Sequence, residues 1–353
     1  MLNTRDFQSR VLLWFDAHGR KDLPWQSPRD PYRVWVSEIM LQQTQVSTVI
    51  DYFHRFMDRF PTLVALAESD LDSVLGLWAG LGYYARARNL HRTARQLIEF
   101  HHGEFPASLA SLVKLPGIGR STAGAILSLG MGMSAPILDG NVRRVLARHN
   151  AIAGWPGQAE TLRELWRLSA SLTPPVRAAD FNQAMMDLGS LICTPRKPAC
   201  HACPLEKSCL AHQAGHPTLY PGRKPARALP VRHVYWLVLR NPSGHIYLEQ
   251  RPERGIWGGL LSLPEFETRE ALETFCLAQL GPDRSLADMP QRRHSFSHFH
   301  LDFCPVLSDI DAVAEMPSGR MGDFFDADRV ERLPTPVRKL LEDLRQAPEA
   351  SAP

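Results

Sequence analysis

The clearest chemical signal in this chain is a group of four cysteines within 17 residues. Cys193, Cys200, Cys203 and Cys209 have the spacing C-x6-C-x2-C-x5-C. The two other cysteines lie far downstream, so the group indicates a metal or cluster site and not a disulfide framework. Prolines within the segment prevent one continuous helix and favour a loop. Tetrahedral zinc and an iron–sulfur cluster both suit four thiolates, and the spacing alone favours the cluster only slightly.

A second signal is a glycine-containing segment, Leu115–Gly124, which reads LPGIGRSTAG and lies between two helical patterns. Gly117 and Gly119 allow a tight turn that exposes backbone N–H groups. Ser121 opens the following helix, and helix N-termini favour anions. The segment therefore predicts a helix–hairpin–helix clamp that holds a nucleic-acid phosphate without reading bases. An ordinary helical turn is the alternative.

The composition limits the function only weakly. The chain has a net charge of +3 and is 44% hydrophobic, which is usual for a globular protein. Local basic runs at 86–95, 143–148 and 193–227 suit phosphate contacts, although such runs often form solvated helix faces. No apolar stretch reaches transmembrane length, and no apolar signal region stands at the N-terminus. We therefore expect a cytoplasmic protein that does not enter a membrane.

The elements that must position these residues fall into two predicted domains. Residues 1–212 carry apolar residues at three- and four-residue spacing, which predicts a mainly α domain. Residues 213–230 are rich in proline and glycine and predict a linker. Residues 231–350 contain β-rich runs, a hairpin signal at Asn241–Gly244 and a helix-like segment, which predicts a smaller α/β domain.

Longer motifs give the chain a specific resemblance. The LPGIGR hairpin, Asp139 and the cysteine spacing resemble the endonuclease III-like superfamily of DNA glycosylases. Most of the chain is similar to the MutY-type adenine DNA glycosylases, through motifs in the same order. These are LPW (23–25), SEIMLQQTQV (37–46), GLGYYARARNL (80–90), GRSTAGAILSL (119–129), ILDGNV (137–142) and FNQAMMDLG (181–189). The resemblance implies a helix–hairpin–helix glycosylase domain, a [4Fe–4S] cluster on the four cysteines (loop 193–209) and a C-terminal MutT-like (Nudix-fold) domain.

Two carboxylates are candidates for the cleavage of an N-glycosidic bond. Such cleavage generally uses one acid to protonate the leaving group and one carboxylate to stabilise the sugar cation. The resemblance implies that Glu38 protonates adenine, and its apolar neighbours predict partial burial and a raised pKa. Asp139 precedes a helical pattern, whose N-terminus favours an ionised cap. Alone, the two residues would be read as a surface glutamate and a plain cap. The mechanism requires both to face one cavity that admits a nucleobase.

Position 121 separates two chemistries within the superfamily. Bifunctional members carry a lysine there, which forms a Schiff base with the sugar and then cuts the strand. Ser121 cannot form an imine, so we predict a monofunctional enzyme that leaves an abasic site. Some relatives have a tyrosine at this position, and a hydroxyl or a water must replace that phenol here. Asn141 is expected to position Asp139 or a sugar–phosphate oxygen.

The resemblance also assigns residues that contact DNA. Tyr83 resembles an aromatic wedge that enters the base stack next to the lesion, although a core tyrosine is the alternative. Trp25 and Gln183 are expected to line the pocket for the extruded adenine. The residues expected to contact the orphaned partner base are Gln43, Thr44 and Leu81.

The C-terminal domain is predicted to bind and not to hydrolyse. A working Nudix hydrolase needs a G-x5-E-x7-REUxEExGU box, and Arg269–Phe275 is at best a fragment of it. The family's FSH loop, which reads 8-oxoguanine opposite adenine, is matched by Phe296, Ser297 and His298. In the strand pattern that follows, Phe299, Leu301 and Phe303 alternate as a buried face. The residues predicted to point outward are His298, His300 and Asp302.

These features together predict a monofunctional adenine DNA glycosylase that acts as a monomer. Its expected partner is double-stranded DNA with adenine opposite 8-oxoguanine or guanine, in the cytoplasm and associated with the nucleoid. Three alternatives differ in one testable property each. They are a bifunctional oxidised-pyrimidine glycosylase, a nucleotide pyrophosphohydrolase that uses the C-terminal domain, and a non-catalytic DNA-binding protein with structural zinc. Ser121 argues against the first, the incomplete box against the second, and a brown colour would exclude the third.

Overall fold

A computed structural model describes residues 3–224, 228–253, 255–282, 285–310, 322–327, 329–330 and 332–346. Internal contacts divide the chain into two compact units. The first unit comprises Met1–Asp70 and Arg86–Pro225, and the second comprises Leu71–Ala85 and Ala226–Pro353. The domain boundaries at 212 and 230 stay a prediction.

The α-helices follow one another closely in the first two thirds of the chain. In chain order they are α1 Thr4–His18, α2 Pro31–Leu41, α3 Val46–Arg59, α4 Leu63–Glu68, α5 Leu71–Trp78, α6 Ala85–His101, α7 Leu109–Leu112, α8 Arg120–Ala125, α9 Gly140–His149, α10 Ala159–Leu172, α11 Ala178–Asp187, α12 Leu210–Gln213, α13 Arg269–Leu280 and α14 Thr335–Gln346. Among the described residues, no helix is both long and apolar enough to cross a bilayer.

The first unit is held together by apolar helix faces. One core cluster joins Phe7 and Val11 of α1, Leu146 of α9, Leu165 of α10 and Phe181 of α11, all of which are almost fully buried. Each such side chain contributes roughly 1.5–3 kcal/mol through its removal from water. Because α9 and α11 pack in this cluster, the residues at their ends have fixed positions around the site described below.

The described strands of the second unit form one sheet. Its strands are β1 Val231–Arg240, β2 Ile246–Gln250, β3 Leu261–Ser262, β4 Glu265–Phe266, β5 Ala287–Asp288, β6 Arg292–Ser295, β7 His300–Asp309 and β8 Gly322–Phe325. The main strand order is β3-β2-β1-β7-β5, with β4 paired to β1, β6 to β7 and β8 to β2. β1 and β7 are parallel over their whole length. The predicted fold class is therefore confirmed: a mainly α region is followed by a smaller α/β region.

Strand β7 corrects one expectation about its outer face. Leu301 and Phe303 are buried, as the alternation predicts. Asp302, which was predicted to point outward, is only 4% exposed. The reason is Arg293 on β6, which donates two hydrogen bonds to the Asp302 carboxylate, at 2.6 and 2.8 Å, and covers it. A paired arginine thus makes burial of this carboxylate tolerable.

Candidate active site

A cavity of about 530 Å³ in the first unit brings the two predicted catalytic carboxylates together. Glu38, on the last turn of α2, and Asp139, directly before α9, both line it. The other predicted residues that line the same cavity are Trp25, Gln43, Thr44, Ser121, Asn141 and Gln183. Residues 101 positions apart in sequence therefore face one space, with a volume typical of small-molecule sites.

Asp139 is held in place as the N-cap of α9. Its Oδ1 accepts a hydrogen bond from the Val142 backbone N–H at 2.7 Å. Its Oδ2 accepts one from Asn141 Nδ2 at 3.0 Å. Burial raises the pKa of Asp139, whereas these hydrogen bonds and the charge of Arg144 oppose that rise. All of these donors favour the anion, so Asp139 is the better placed of the two carboxyl groups to carry the negative charge.

For Glu38, the two main influences on the pKa act in the same direction. Burial raises the pKa of Glu38 to about 8, and the nearby Asp139 charge adds to the effect. Two carboxylates that share one cavity cannot both ionise without cost. The proton is therefore assigned to Glu38 at neutral pH, and the pair consists of one acid and one anion. This is the division of roles that glycosidic cleavage requires.

Ser121 connects the glycine hairpin to the segment that carries Asp139. Its Oγ accepts a hydrogen bond from the Leu138 backbone N–H at 3.0 Å. The hairpin before it needs glycine, because Gly117 has φ +78° and a Cβ there would lie 2.9 Å from the Asn89 Cβ. Gly119 begins α8 as its N-cap. Ser121 therefore faces the cavity and also fixes the approach to Asp139.

Gln43 and Thr44 enter the cavity from the turn after α2. Gln43 has a left-handed backbone with φ 60°, which is uncommon for a residue other than glycine. The Arg86 guanidinium donates to the carbonyl oxygens of Ile39 and Gln42 at 2.8 and 2.5 Å. These bonds satisfy acceptors at the C-terminal end of the helix and hold the turn in this shape.

Other predicted DNA-contact residues lie in the second unit. Leu81 is 7% exposed, whereas Tyr83 is 48% exposed and has φ 50°. Phe296 stacks on Phe299 with a centroid distance of 4.5 Å, and its N–H donates to the Phe299 carbonyl. The tip of this turn is exposed, and it presents Ser297 and His298.

Sequence reasoning missed Arg20, which lines the cavity together with Arg143 of the predicted basic run. Arg20 donates to the fully buried Asp187 carboxylate through its backbone N, Nε and Nη2, at 2.8, 2.9 and 2.6 Å. Gln183 Nε2 donates to the same carboxylate at 2.8 Å. Asp187, a charged residue in the mostly apolar FNQAMMDLG segment, was the available signal. A carboxylate buried in such a helix needs a cationic partner.

The four cysteines also come together. All of them line one small cavity next to Arg148, which is 2% exposed. Arg148 Nη1 donates to the Cys193 Sγ at 3.3 Å and to the Thr194 carbonyl at 2.7 Å. Within the described residues, no three His, Cys, Asp or Glu side chains are placed to bind a single metal ion. Four soft sulfur donors around one space, beside a buried cation, fit an iron–sulfur cluster.

Comparisons with known proteins bear on the same regions. Residues 36–171 match the model of the HhH-GPD superfamily base excision DNA repair proteins. Residues 193–209 match the iron–sulfur binding domain of endonuclease III, and residues 235–343 match the NUDIX domain. These matches confirm the predicted [4Fe–4S] cofactor. The thiolates of the four cysteines would ligate the irons of the cluster, and these bonds would tie the loop together.

Whole-chain relatives extend these matches. The adenine DNA glycosylase of Buchnera aphidicola subsp. Schizaphis graminum is 39% identical over 95% of this chain and 98% of its own. The adenine DNA glycosylase of Homo sapiens is 37% identical over 84% of this chain and 66% of its own. A thermostable thymine-DNA glycosylase structure is 29% identical, with a TM-score of 0.55 over 60% of this chain and 97% of its own. An endonuclease III–DNA complex shows the same fold at 22% identity, with a TM-score of 0.52 over 61% of this chain and 99% of its own.

Proposed function

Because the chain belongs to the adenine DNA glycosylase family, which acts in base-excision repair, we propose that it removes adenine mispaired with 8-oxoguanine or guanine. We propose that it hydrolyses the N-glycosidic bond and leaves an abasic site without cutting the strand. The observation that carries the mechanism is the placement of Glu38 and Asp139 on one cavity of about 530 Å³.

The proposed reaction starts with adenine extruded from the duplex into this cavity. Glu38 then donates its proton to a ring nitrogen of adenine, which makes the base a better leaving group. A pKa of about 8 keeps that proton available at neutral pH. The bond between C1′ and the base breaks, and the base takes the bonding electrons. Asp139 stabilises the resulting sugar cation, and a water adds its oxygen to C1′ and gives a proton to the Glu38 carboxylate, which becomes the acid again.

The monofunctional outcome is supported by the lining of the cavity. No lysine is among its described lining residues, so an amine for Schiff-base formation is missing there. Arg143 cannot replace it, because a guanidinium stays protonated in proteins. Ser121 lines the cavity and accepts a hydrogen bond from the Leu138 N–H, which suits a positioning role.

Specificity for the base opposite adenine is proposed to come from two places. In the first unit, Gln43 and Thr44 stand in a turn held by Arg86. In the second unit, the exposed Ser297 and His298 offer hydrogen-bonding groups for a modified purine edge. The first two are proposed to contact the orphaned base, together with Leu81, and the last two to read 8-oxoguanine.

The remaining contacts with DNA belong to the same proposal. The backbone N–H groups around Gly117 and Gly119 would hold a phosphate, and Tyr83 would enter the base stack. Phe296 would pack on the DNA beside the lesion. We propose that the protein works as a monomer on the DNA of the nucleoid, and that its C-terminal domain binds without hydrolysing nucleotides.

The test is excision from one duplex with a single A:8-oxoG pair, under single-turnover conditions. We expect Glu38→Gln and Asp139→Asn to lose about 10³-fold or more in rate, within the range found for general acid catalysis. Both variants should still bind the duplex. The matched control is Glu160→Gln, an exposed glutamate of α10, which should excise at the wild-type rate.

Two further readings of the same assay test the finer claims. The product strand should break only after treatment with alkali, and cutting of most product without alkali would refute the monofunctional mechanism. Duplexes with A:G and A:T pairs show whether the opposite base decides the rate. Equal rates on A:8-oxoG and A:T would refute the mispair specificity and leave the two-carboxylate mechanism standing.

A further inference from the structure

The first part of the predicted linker packs against the first unit. The Gly222 backbone N–H donates to the Gly154 carbonyl oxygen at 2.9 Å. The approach is close, because a Cβ on Gly222 would lie 2.8 Å from both the carbonyl carbon and the oxygen of Gly154. The Lys224 Nζ lies over the Trp155 ring, 5.5 Å from its centroid. These contacts give a segment of linker composition a defined place, and we call residues 216–224 the docked segment.

The docked segment also reaches the site of the four cysteines. Pro217 lines the small cavity that the cysteines surround. Arg148 of α9 lines the same cavity, and its Nε donates to the Tyr220 carbonyl oxygen at 2.9 Å. One arginine side chain therefore contacts the cysteine site and the docked segment at the same time.

The other donors of Arg148 bind the loop that begins at Cys193. Nη1 donates to the Cys193 Sγ at 3.3 Å and to the Thr194 carbonyl oxygen at 2.7 Å. Nη2 donates to the Pro195 carbonyl oxygen at 2.9 Å. A guanidinium has its donors in a rigid fork, so the loop and the Tyr220 carbonyl are held in one fixed arrangement.

The positive charge of Arg148 is buried without a carboxylate partner. The side chain is almost fully buried, and its hydrogen-bond acceptors among the described residues are carbonyl oxygens and one sulfur. Glu206 lines the same cavity, but its carboxylate lies 3.4 Å from the His212 Nε2. A buried cation without a counter-charge is costly. Four thiolates that ligate irons would bring negative charge to this guanidinium.

We propose that Arg148 couples the iron–sulfur cluster to the docked segment. With the cluster bound, the loop is tied by its cysteines, the charge of Arg148 is balanced, and Nε stays on the Tyr220 carbonyl. Without the cluster, the loop loses these ties, the carbonyl acceptors of Arg148 move, and the docked segment detaches. Occupancy of the cluster thus decides whether the start of the linker is fixed. The coupling is reciprocal, so a detached segment should weaken retention of the cluster.

The experiment measures amide hydrogen exchange in the docked segment of the full-length protein, with its cluster and after removal of iron by a chelator. Iron removal should speed exchange in residues 216–224 about tenfold or more, because the Gly222 N–H loses its partner. The amides of α1, whose apolar face is in the core, should stay protected and serve as the internal reference. Iron content and visible absorbance report the loading of each sample.

Two variants separate the parts of the proposal. Arg148→Lys keeps the charge and loses the fork, so its cluster-loaded form should show the fast exchange of the iron-free wild type. Gly222→Ala leaves Arg148 and the cysteines unchanged and pushes the docked segment away from Gly154. It should expose the segment and lose iron to the chelator about tenfold faster than the wild type. This second variant tests the coupling even where Arg148→Lys takes up no iron.

The matched control is Thr218→Ala, at an exposed position of the docked segment, which should exchange and release iron at the wild-type rates. Four results would overturn the proposal. They are a protected segment after iron removal, a protected segment in loaded Arg148→Lys, a protected segment in Gly222→Ala, and wild-type iron release from Gly222→Ala. Equal loss of protection in α1 and the docked segment on iron removal would also overturn it, because the whole unit would then unfold.

Discussion

Two covered aspartates, one in each unit, have opposite electrostatic environments. Burial is the main influence on Asp139 and raises its pKa. Asp302 accepts two hydrogen bonds from Arg293, and that pairing lowers its pKa. The difference is the position of the nearest arginine. Arg144 donates to the Asn141 side chain and to the Gly189 and Cys193 carbonyls. The Asn141 side chain therefore connects Arg144 to the Asp139 carboxylate.

This difference shows how a reactive carboxylate can be kept in a folded core. A bidentate arginine would stabilise Asp139 as an anion so strongly that little attraction would remain for a sugar cation. Backbone and amide donors position the group and leave its charge available. Asp302 is also a covered carboxylate, and there the Arg293 guanidinium compensates the charge by direct pairing.

The largest expected effect separates the two aspartates by rate. Asp139→Asn should lower single-turnover excision about 10³-fold, because the amide cannot stabilise the sugar cation. Asn remains a good N-cap, so α9 should keep its start. Asp302→Asn should excise within about twofold of wild type when the enzyme saturates the duplex. An equal loss in both variants would mean that Asp139 acts through folding alone.

The next effect is a pH dependence that arises from Glu38. The acid form is the active one, and its pKa is about 8. The excision rate should fall about tenfold per unit above that pH, and it should also fall at acid pH, where Asp139 takes up a proton. Glu38→Gln should show no such fall in its residual rate. A wild-type profile that stays level to pH 10 would contradict the assignment of the proton to Glu38.

The comparison also predicts stability changes of opposite sign. Burial raises the pKa of Glu38 above its unfolded value, so ionisation costs folding free energy as pH rises from about 4 to 8. At pH 9, Glu38→Gln should stabilise α2 by on the order of 2 kcal/mol, after a discount for water in the cavity. That gain should vanish near pH 4. Amide hydrogen exchange on α2 measures it.

Asp302→Asn should instead destabilise strand β7, because a charge-assisted pair with Arg293 is lost. The folded-state pKa of Asp302 is lowered, so this loss applies above its unfolded pKa near 4 and disappears as pH falls through the folded value. Amide exchange on β7 is the measurement. A stabilised β7 at pH 7 would remove the contrast between the two units.

The smallest effect concerns the support of Asp139. Ser121→Ala removes the acceptor for the Leu138 N–H, which should cost about 1 kcal/mol of local stability. The excision rate should fall about tenfold if a shift of Asp139 follows. Ser171→Ala, at an exposed position of α10, is the control and should change neither value. An unchanged rate in Ser121→Ala would show that the N-cap alone positions Asp139.

Contiguous motifs made much of this protein predictable. The cysteine spacing indicated a shared ligand site, because four thiols in a short loop have few other uses in a chain with so few cysteines. The apolar neighbours of Glu38 predicted its raised pKa, since local helix periodicity fixes which side is covered. Alternation in β7 likewise predicted that Leu301 and Phe303 are buried.

Long-range packing decided what these motifs could not. Arg20 and Asp187 are 167 residues apart, and only folding pairs them beside the active-site cavity, which Arg20 lines. The alternation in β7 places Asp302 on the outward face, but Arg293 on the neighbouring strand β6 covers its carboxylate. Local patterns in the chain were enough to predict the helix faces, most of the strand faces and the family. Long-range packing brings Glu38 and Asp139 to one cavity, because the elements that carry them are distant in sequence.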